Sequence, residues 1–162
     1  MKLPANKTGI KFKNTLSFKD DFNIFTYRNY YNGGGVGLGD INNDGLLDIY
    51  FTSNLNENKL YLNIGNFKFE DITEKAGLLL ESGKSMGVAM TDFEGDGLID
   101  WVITNDTQPN FLLHNLGNAQ FEERGLMAGI GYDDTGRARA GMGVDITSVA
   151  NDGVQSIAIG NF

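Results

Sequence analysis

The sequence predicts an all-β protein made of β-propeller blades, in which four-stranded antiparallel repeats of about 52 residues form a partial, incomplete propeller. Three observations predict this fold. A segment of the chain repeats without a gap after 52 residues. Each copy divides into four short β-rich runs separated by turn residues. An acidic, glycine-containing loop stands at the same place in both copies.

The repeat is visible when residues 35–77 are aligned with residues 87–129, which gives 17 identities in 43 positions. A third copy begins at Gly143, which is 56 residues after Gly87. The sequence therefore predicts four segments. They are an N-terminal strand with a loop leading into the first blade at 1–34, blade 1 at 35–86, blade 2 at 87–142 and a partial blade 3 at 143–162.

Each full repeat contains four predicted strands. The first is rich in small residues, as a propeller needs where strands crowd around its axis. The second is apolar on both faces, so we expect it between neighbouring blades, with Trp101 in the core rather than serving as a sugar platform. Residues 9–14 alternate in polarity and predict one more strand, the outer strand of another blade. The predicted strands of the repeats are 35–39, 48–53, 59–63, 67–72, 87–91, 100–105, 111–115 and 119–123.

The loop that begins at Asp40 predicts a calcium site. It has oxygen-bearing side chains at its first, third, fifth and ninth positions and a glycine at its sixth. Ca²⁺ takes six to eight oxygen ligands at about 2.3–2.6 Å, and glycine permits the sharp turn that directs them inward. The predicted ligands are Asp40, Asn42, Asp44, the backbone carbonyl of Leu46, and Asp48.

An EF-hand is the alternative interpretation of this loop, because it opens with the same pattern. An EF-hand also needs a glutamate at loop position twelve and a helix on either side. Position twelve is Phe51, and the flanking residues are glycine-rich on one side and β-branched or aromatic on the other. The loop is therefore predicted to join two strands of a hairpin.

The second repeat predicts a second calcium site, and the third does not. Glu94 stands where aspartate or asparagine is usual, and its longer side chain is expected to reach the ion with altered affinity. In the third loop, Ser148, Ala150 and Ser156 replace ligands, so that loop is predicted to be metal-free. Both ions are expected to stabilise hairpins rather than to catalyse. The predicted ligands of the second site are Asp92, Glu94, Asp96, the backbone carbonyl of Leu98, and Asp100.

Composition excludes several classes of protein. The chain has 162 residues, 41% of them hydrophobic, which is typical of a globular protein. Its net charge of −8, which two bound Ca²⁺ would halve, argues against a nucleic-acid partner. The chain has no cysteine, and therefore no disulfide or thiolate site. It shows no apolar signal-peptide region and no run long enough to insert into a membrane.

The remaining candidate residues favour structural roles. His114 is the only histidine and aligns with Leu62, so we expect a hydrogen-bonded strand residue rather than a catalytic one. The charged residues before the third repeat predict a self-neutralising solvated loop more strongly than a ligand-binding loop. No nucleophile elbow, phosphate loop or histidine-rich site is present, so the sequence predicts no enzyme. The charged residues of that loop are Asp133, Asp134, Arg137 and Arg139.

The first repeat resembles the FG-GAP/VCBS repeat family. The resemblance rests on the pattern Gly-Asp-x-Asn-x-Asp-Gly-x-x-Asp-Ile-Tyr-Phe at 39–51 and on the strand residues that follow it at 58–63 and 69–73. Residues 105–112 and 139–145 are similar to the cartilage-acidic-protein (ASPIC/UnbV) branch, and integrin α-subunit heads use related repeats. The resemblance covers nearly the whole chain from about residue 9. It implies a seven-bladed, usually extracellular propeller with calcium in several blades.

These observations predict a segment of a secreted, cell-surface or periplasmic protein that mediates adhesion or recognition of a protein or glycan partner. Two alternatives stay open. One is part of a propeller-type enzyme acting on polysaccharide. The other is a self-assembling repeat protein that completes its propeller by oligomerisation. Two blades and a partial third would leave apolar faces open, so we expect further blades from the parent chain or from other copies.

Overall fold

The structure, a computed structural model, describes residues 2–80 and 83–161. These residues form two four-stranded antiparallel sheets, one two-stranded sheet and one short helix. The all-β prediction of four-stranded blades is confirmed. Met1, Glu81, Ser82 and Phe162 lie outside the described residues, and so do the parts of the predicted segments 1–34, 35–86 and 143–162 that fall on them.

Each sheet follows the order of the chain, so that neighbouring strands are joined by short hairpins. We call the three sheets blades 1, 2 and 3. Blade 1 contains β1 (Val36–Gly39), β2 (Asp48–Phe51), β3 (Lys59–Asn63) and β4 (Phe69–Asp71). Blade 2 contains β5 (Ser85–Thr91), β6 (Asp100–Asn105), β7 (Phe111–Asn115) and β8 (Phe121–Glu123). Blade 3 contains β9 (Gly141–Thr147) and β10 (Ser156–Asn161), and helix α1 covers Ala5–Thr8.

Blades 1 and 2 pack face to face through a small residue and two large ones. The register places Gly37 and Tyr50 on the same face of blade 1. The rings of Tyr50 and Trp101 stack with centroids 5.6 Å apart. A Cβ atom on Gly37 would lie 2.4 Å from Cζ3 of Trp101, so only glycine allows this approach. Trp101 is fully buried, which confirms its predicted place in the core.

Blade 2 packs against a neighbouring blade on each of its two faces, whereas blade 1, among the described residues, packs against a blade on only one face. All six residues of β6 are buried, as expected for a strand between neighbours. The residues of β2 are buried only at alternate positions. On its other side, blade 2 meets blade 3 closely, because a Cβ on Gly87 would lie 3.2 Å from Cα of Gly143. The second strands of the repeats therefore differ in burial despite their similar apolar sequences.

The N-terminal segment departs from its prediction. Residues 9–14 form no strand, and the predicted strand is wrong. The segment instead lies on the open face of blade 1, which we define by Val36, Leu38, Phe51 and Tyr61. Phe12 stacks on Phe51 with centroids 4.8 Å apart, and the backbone N–H of Lys11 donates to the hydroxyl of Tyr61 over 3.2 Å. The alternating polarity thus reflects side-chain burial on a sheet face rather than pairing in a β-ladder.

Two strands begin earlier than the predicted blade boundaries at 87 and 143. Strand β5 begins at Ser85 and β9 at Gly141. The pairing register shifts near the start of each of these strands. The shift lies between Ser85 and Gly87 in the β5–β6 hairpin and between Gly160 and Asn161 in the β9–β10 hairpin. A β-bulge inserts an extra residue into a strand, and the alternation of apolar and polar residues does not reveal it. The predicted starts of β5 and β9 are therefore two residues too late.

Candidate functional site

The loops between the first and second strands of the three blades share one backbone conformation. We call them loop 1 (40–48), loop 2 (92–100) and loop 3 (148–156). In each, the fourth and sixth residues have a left-handed backbone conformation, which glycine and asparagine tolerate best. The φ angles are 57° at Asn43 and 83° at Gly45, 74° at Gly95 and 84° at Gly97, and 55° at Asn151 and 83° at Gly153.

The first side chain of each loop accepts hydrogen bonds from the loop's own backbone. Asp40 accepts from the backbone N–H of Asp44 through Oδ1 (3.0 Å) and of Gly45 through Oδ2 (2.8 Å). Asp92 makes the equivalent pair of bonds, 2.9 and 2.8 Å long. In loop 3, the hydroxyl of Ser148 accepts from the backbone N–H of Gly153 over 3.2 Å. A serine therefore closes the loop with one of the two backbone hydrogen bonds that an aspartate accepts.

The fifth side chain repeats this pattern in all three loops. Oδ1 of Asp44 accepts the backbone N–H of Leu46 over 2.8 Å. Asp96 accepts the N–H of Leu98, and Asp152 accepts that of Val154, each over 2.9 Å. These local side-chain-to-backbone bonds are typical of aspartate in turns. The shape of the loops thus follows from their own hydrogen bonds.

The ninth side chain of loops 1 and 2 is buried and doubly bonded to backbone. Oδ2 of Asp48 accepts the N–H of Ile41 (3.0 Å), and its Oδ1 accepts that of Asn63 (2.7 Å). Asp100 accepts from Phe93 and Asn115 over 2.7 and 2.8 Å. Burial raises the pKa of Asp48 above its ordinary value, and the nearby charges of Asp44 and Asp40 add to the rise. A cation in loop 1 would offset that excess of negative charge.

Loop 1 brings the predicted ligands Asp40, Asn42 and Asp44 together. Asn42 Nδ2 donates to Oδ2 of Asp44 over 3.0 Å, and the backbone N–H of Asp44 is shared by Asn42 Oδ1 and Asp40 Oδ1, at 3.3 and 3.0 Å. A carboxylate oxygen that accepts one N–H keeps a lone pair for a metal ion. The donors, with the carbonyl of Leu46 and with Asp48, are all oxygens, the chemistry that Ca²⁺ prefers. The residues of loop 1 therefore fit a hard divalent cation.

Loop 2 arranges its predicted ligands differently, because the carboxylates of Glu94 and Asp100 lie together beside His114. Asp92, Asp96 and Asp100 have the same backbone bonds as their counterparts in loop 1. Glu94 points elsewhere: its Oε2 lies 2.9 Å from Nδ1 of His114, and its Oε1 accepts from Arg124 over 3.2 Å. Because its longer side chain reaches these basic partners, loop 2 presents one side-chain oxygen fewer than loop 1.

His114 is the buried centre of a second group of polar residues. It is 8% exposed, and its Nδ1 lies 3.2 Å from Oδ1 of Asp100 in addition to its contact with Glu94. This environment agrees with the predicted hydrogen-bonded strand residue. Sequence reasoning missed the grouping itself. The signal was present, because Glu94, His114 and Arg124 replace Asn42, Leu62 and Ile72 of the first repeat, and the three replacements lie together in space.

The charged loop before blade 3 is closed by Asp133. Its Oδ1 accepts from the backbone N–H of Thr135 and of Arg137, each over 2.9 Å, and from the Thr135 hydroxyl over 2.7 Å. These bonds, led by the one from Arg137, lower the pKa of Asp133 to about 2. Nε of Arg139 lies 2.6 Å from Oδ2 of Asp133. The loop neutralises its own charge, whereas Asp134 is exposed.

Residues 40–103, which contain both acidic loops and the blade contact between them, match the model of the FG-GAP-like repeat. Over this stretch the chain is similar to FG-GAP-like repeats. Cartilage acidic protein 1 of Xenopus tropicalis is 32% identical to the chain over 99 residues. That match covers 59% of this chain and 15% of the length of cartilage acidic protein 1. The FG-GAP resemblance and its similarity to the cartilage-acidic-protein branch are thus confirmed.

Among residues 2–80 and 83–161, the structure contains no helix that could span a membrane. The match to cartilage acidic protein 1 spans only a small part of that protein, so the activity and partners of the whole relative do not follow from it. FG-GAP repeats are propeller-type units, in agreement with the four-stranded blades described above.

Proposed function

We propose that this chain is a calcium-binding β-propeller segment of a secreted, cell-surface or periplasmic protein, and that it serves adhesion or recognition rather than catalysis. The observation that carries the proposal is the recurrence of one loop conformation with acids at equivalent positions. Asp40 and Asp44 in loop 1 correspond to Asp92 and Asp96 in loop 2. The extracellular setting is supported by the FG-GAP-like repeats and the cartilage acidic protein relative.

Calcium would be held first by loop 1. Its first, third and fifth side chains already lie together, and the chain carries a net charge of −8 for a cation to reduce. Loop 2 would use the equivalent residues, but Glu94 must first leave His114 and Arg124. Breaking those contacts reduces the net gain from binding, so we expect loop 2 to bind calcium more weakly than loop 1.

The end of the blades that carries the acidic loops is suited to recognition. In an antiparallel sheet, the first-to-second and third-to-fourth connections lie at the same end. That end bears exposed apolar side chains next to the acids: Leu47, Ile64, Phe67, Phe93 and Leu116. A bound ion would rigidify these loops and present the apolar groups in a fixed arrangement to a protein or glycan partner.

A thermal melt in excess Ca²⁺ and in excess chelator tests the metal assignment. Binding to the native state raises stability by about 2.7 kcal/mol when the ligand is at 100 times its Kd. We expect a higher Tm with calcium, and a smaller calcium-dependent shift in Asp44→Ala and Asp96→Ala. Asp152→Ala is the matched control, because it removes the same backbone hydrogen bond from the loop that lacks the other acids. A melt that is indifferent to calcium would contradict the proposal.

The alternative of a polysaccharide-cleaving enzyme is tested by turnover. His114 is 8% exposed and its Nδ1 lies between two carboxylates, so it is poorly placed to reach a substrate. We expect no cleavage of acidic polysaccharides by the chain. Cleavage that disappears in His114→Ala or Arg139→Ala would overturn the assignment to adhesion or recognition.

A further inference from the structure

We propose that Glu94, Asp100 and His114 form a binding site for a zinc-class transition-metal ion in blade 2. The three side chains offer one imidazole nitrogen and two carboxylate oxygens, all within 4.8 Å of one another. The site shares two residues with loop 2 and none with loop 1. Its donor chemistry differs from that of the calcium loops, whose ligands are all oxygens.

The distances between the donors suit a small ion. Nδ1 of His114 lies 2.9 Å from Oε2 of Glu94 and 3.2 Å from Oδ1 of Asp100. Zinc binds histidine nitrogen and carboxylate oxygen at about 2.0–2.2 Å, which places two ligands of a tetrahedral ion roughly 3.3–3.5 Å apart. Nδ1 of His114 therefore needs to move only a few tenths of an ångström away from each carboxylate oxygen to admit the ion, and the two carboxylates already lie within 4.8 Å of one another.

Two of the three donors are fixed by the sheet. Asp100 begins β6 and accepts two backbone N–H bonds, and His114 lies opposite Glu122 in the β7–β8 pair. Their side chains are 2% and 10% exposed. An acceptor oxygen of Asp100 that takes one N–H keeps capacity for a metal. Little ordering of these residues is needed when the ion binds, which favours affinity.

The third donor gives access from solvent. The side chain of Glu94 is 36% exposed. It borders a cavity of about 420 Å³ between loops 2 and 3, together with Gly95 and Val154. Three protein ligands with an open fourth position are typical of zinc sites that keep a water or accept an external ligand. Glu94 is the one of the three ligands that borders this cavity, so a water or external ligand would approach the ion from the side of Glu94.

Arg124 orients the glutamate. It donates to Oε1 of Glu94 over 3.2 Å, and this contact leaves Oε2 directed at His114. Outer residues that hold metal ligands in place commonly account for 10–100-fold in affinity. The first repeat has asparagine, leucine and isoleucine where the second has Glu94, His114 and Arg124, so ligand and positioning residues occur together in blade 2.

The donor set discriminates between metals. Imidazole suits Zn²⁺, Cu²⁺, Ni²⁺ and iron, whereas Ca²⁺ prefers an all-oxygen set with more ligands. Zinc would therefore select the His114 cluster, and calcium would select loop 1. Because Glu94 and Asp100 also belong to loop 2, zinc in the cluster would oppose a complete calcium ligand set in that loop.

Isothermal titration of the calcium-free chain with Zn²⁺, supported by the visible absorption of bound Co²⁺, tests the proposal. We expect one ion per chain. His114→Leu and Glu94→Asn, which introduce the residues of blade 1, should each weaken binding at least tenfold, and Arg124→Ile should weaken it by about tenfold. Asp44→Ala is the control that leaves the cluster intact and should bind Zn²⁺ as the unmodified chain does.

Two results would overturn the inference. One is the absence of Zn²⁺ binding by the unmodified chain, and the other is unchanged affinity in both His114→Leu and Glu94→Asn. Either result would leave the cluster as a hydrogen-bonded group without a metal. If His114→Leu fails to fold, Arg124→Ile and Glu94→Asn decide. The calcium-dependent Tm shift of loop 1 is measured on the same variants, so failure of the zinc site is distinguishable from failure of the calcium proposal.

Discussion

In blades 1 and 2, asparagine side chains at equivalent positions form hydrogen bonds with backbone groups that have no backbone partner. Asn58 accepts the backbone N–H of Ser53, and Asn110 accepts that of Asn105, each over 2.9 Å. Asn115 accepts the N–H of Gly117 over 2.9 Å and donates to the carbonyls of Ile41 and Ile99. These bonds explain why asparagine occupies the same positions in both repeats.

The bond from Asn115 to Ile41 joins blade 2 to loop 1, and it leads to a test. Asn115→Ala removes three hydrogen bonds from a residue that is 1% exposed. We expect a loss of about 2–4 kcal/mol in the free energy of unfolding, because buried carbonyl and N–H groups lose their partners. Chemical denaturation measures the loss.

Asn63→Ala is the matched control for this prediction. Asn63 stands at the equivalent position of blade 1 and makes two of the three bonds, to Leu47 and from Gly65. It is less buried, and we expect a loss of about 1 kcal/mol. Equal losses in the two variants would show that the bond between the blades does not add stability.

Sequence spacing predicted loop 1 more completely than loop 2. The acids at positions one, five and nine occupy equivalent places in both loops, because local hydrogen bonds to the backbone fix them. Glu94 differs because the direction of a long side chain depends on what surrounds it. His114 and Arg124 come from β7 and from the end of blade 2, and their proximity to Glu94 arises only in three dimensions.

At the scale of strands, the contact between β1 and β6 depends on a missing side chain. Gly37→Ala would place its Cβ 2.4 Å from Cζ3 of Trp101, whose ring is fully buried in the core. Overpacking of this kind costs typically about 1–3 kcal/mol, so we expect the free energy of unfolding to fall by that amount.

A glycine in the first strand of blade 3 provides the comparison. A Cβ on Gly143 meets no atom within 4 Å, so Gly143→Ala is expected to change stability little or to raise it slightly. Equilibrium denaturation of the two variants side by side measures the difference. A Gly37→Ala variant as stable as the unmodified chain would mean that the two blades can separate at this contact without loss.

The sequence predicted the strands of blades 1 and 2 correctly, because their apolar residues repeat along each strand. It predicted a strand at 9–14 wrongly, because those residues pack on a sheet face without joining a sheet. The apolar runs of β2 and β6 indicated burial, but only β6 has a blade on both faces. Residues 9–14 have the polarity of a strand because Phe12 packs on Phe51, and polarity alone does not specify a backbone partner. Long-range pairing is the information that a local pattern lacks.

Over the whole molecule, stability is expected to be greatest in the middle of the row of blades. Blade 2 contacts blade 1 through Trp101 and blade 3 through Gly87, as neighbouring units do in other repeat proteins. The residues of β6 are all buried between two sheets, while β10 is the edge of a two-stranded sheet and has no buried residue among Ser156–Gly160. Local opening requires less free energy where fewer apolar contacts are broken.

Hydrogen exchange tests this gradient. We expect the backbone amides of β6 to exchange slowest and those of β10 fastest, with blade 1 between them. Mass spectrometry of peptides from 100–105 and 156–160, labelled over the same time course, gives the comparison. Protection of β10 equal to that of β6 would mean that copies of the chain associate through that edge in solution.

Loop 3 has the backbone conformation of loops 1 and 2 although serine and alanine replace three of the predicted ligand residues. The conformation of a loop is therefore inherited independently of its metal ligands. Over evolutionary time, a blade can gain or lose an ion through single substitutions, each tolerated because the hairpin keeps its shape. Lineages of such repeats can in this way diverge in the number of ions that they carry while the spacing of their blades stays constant.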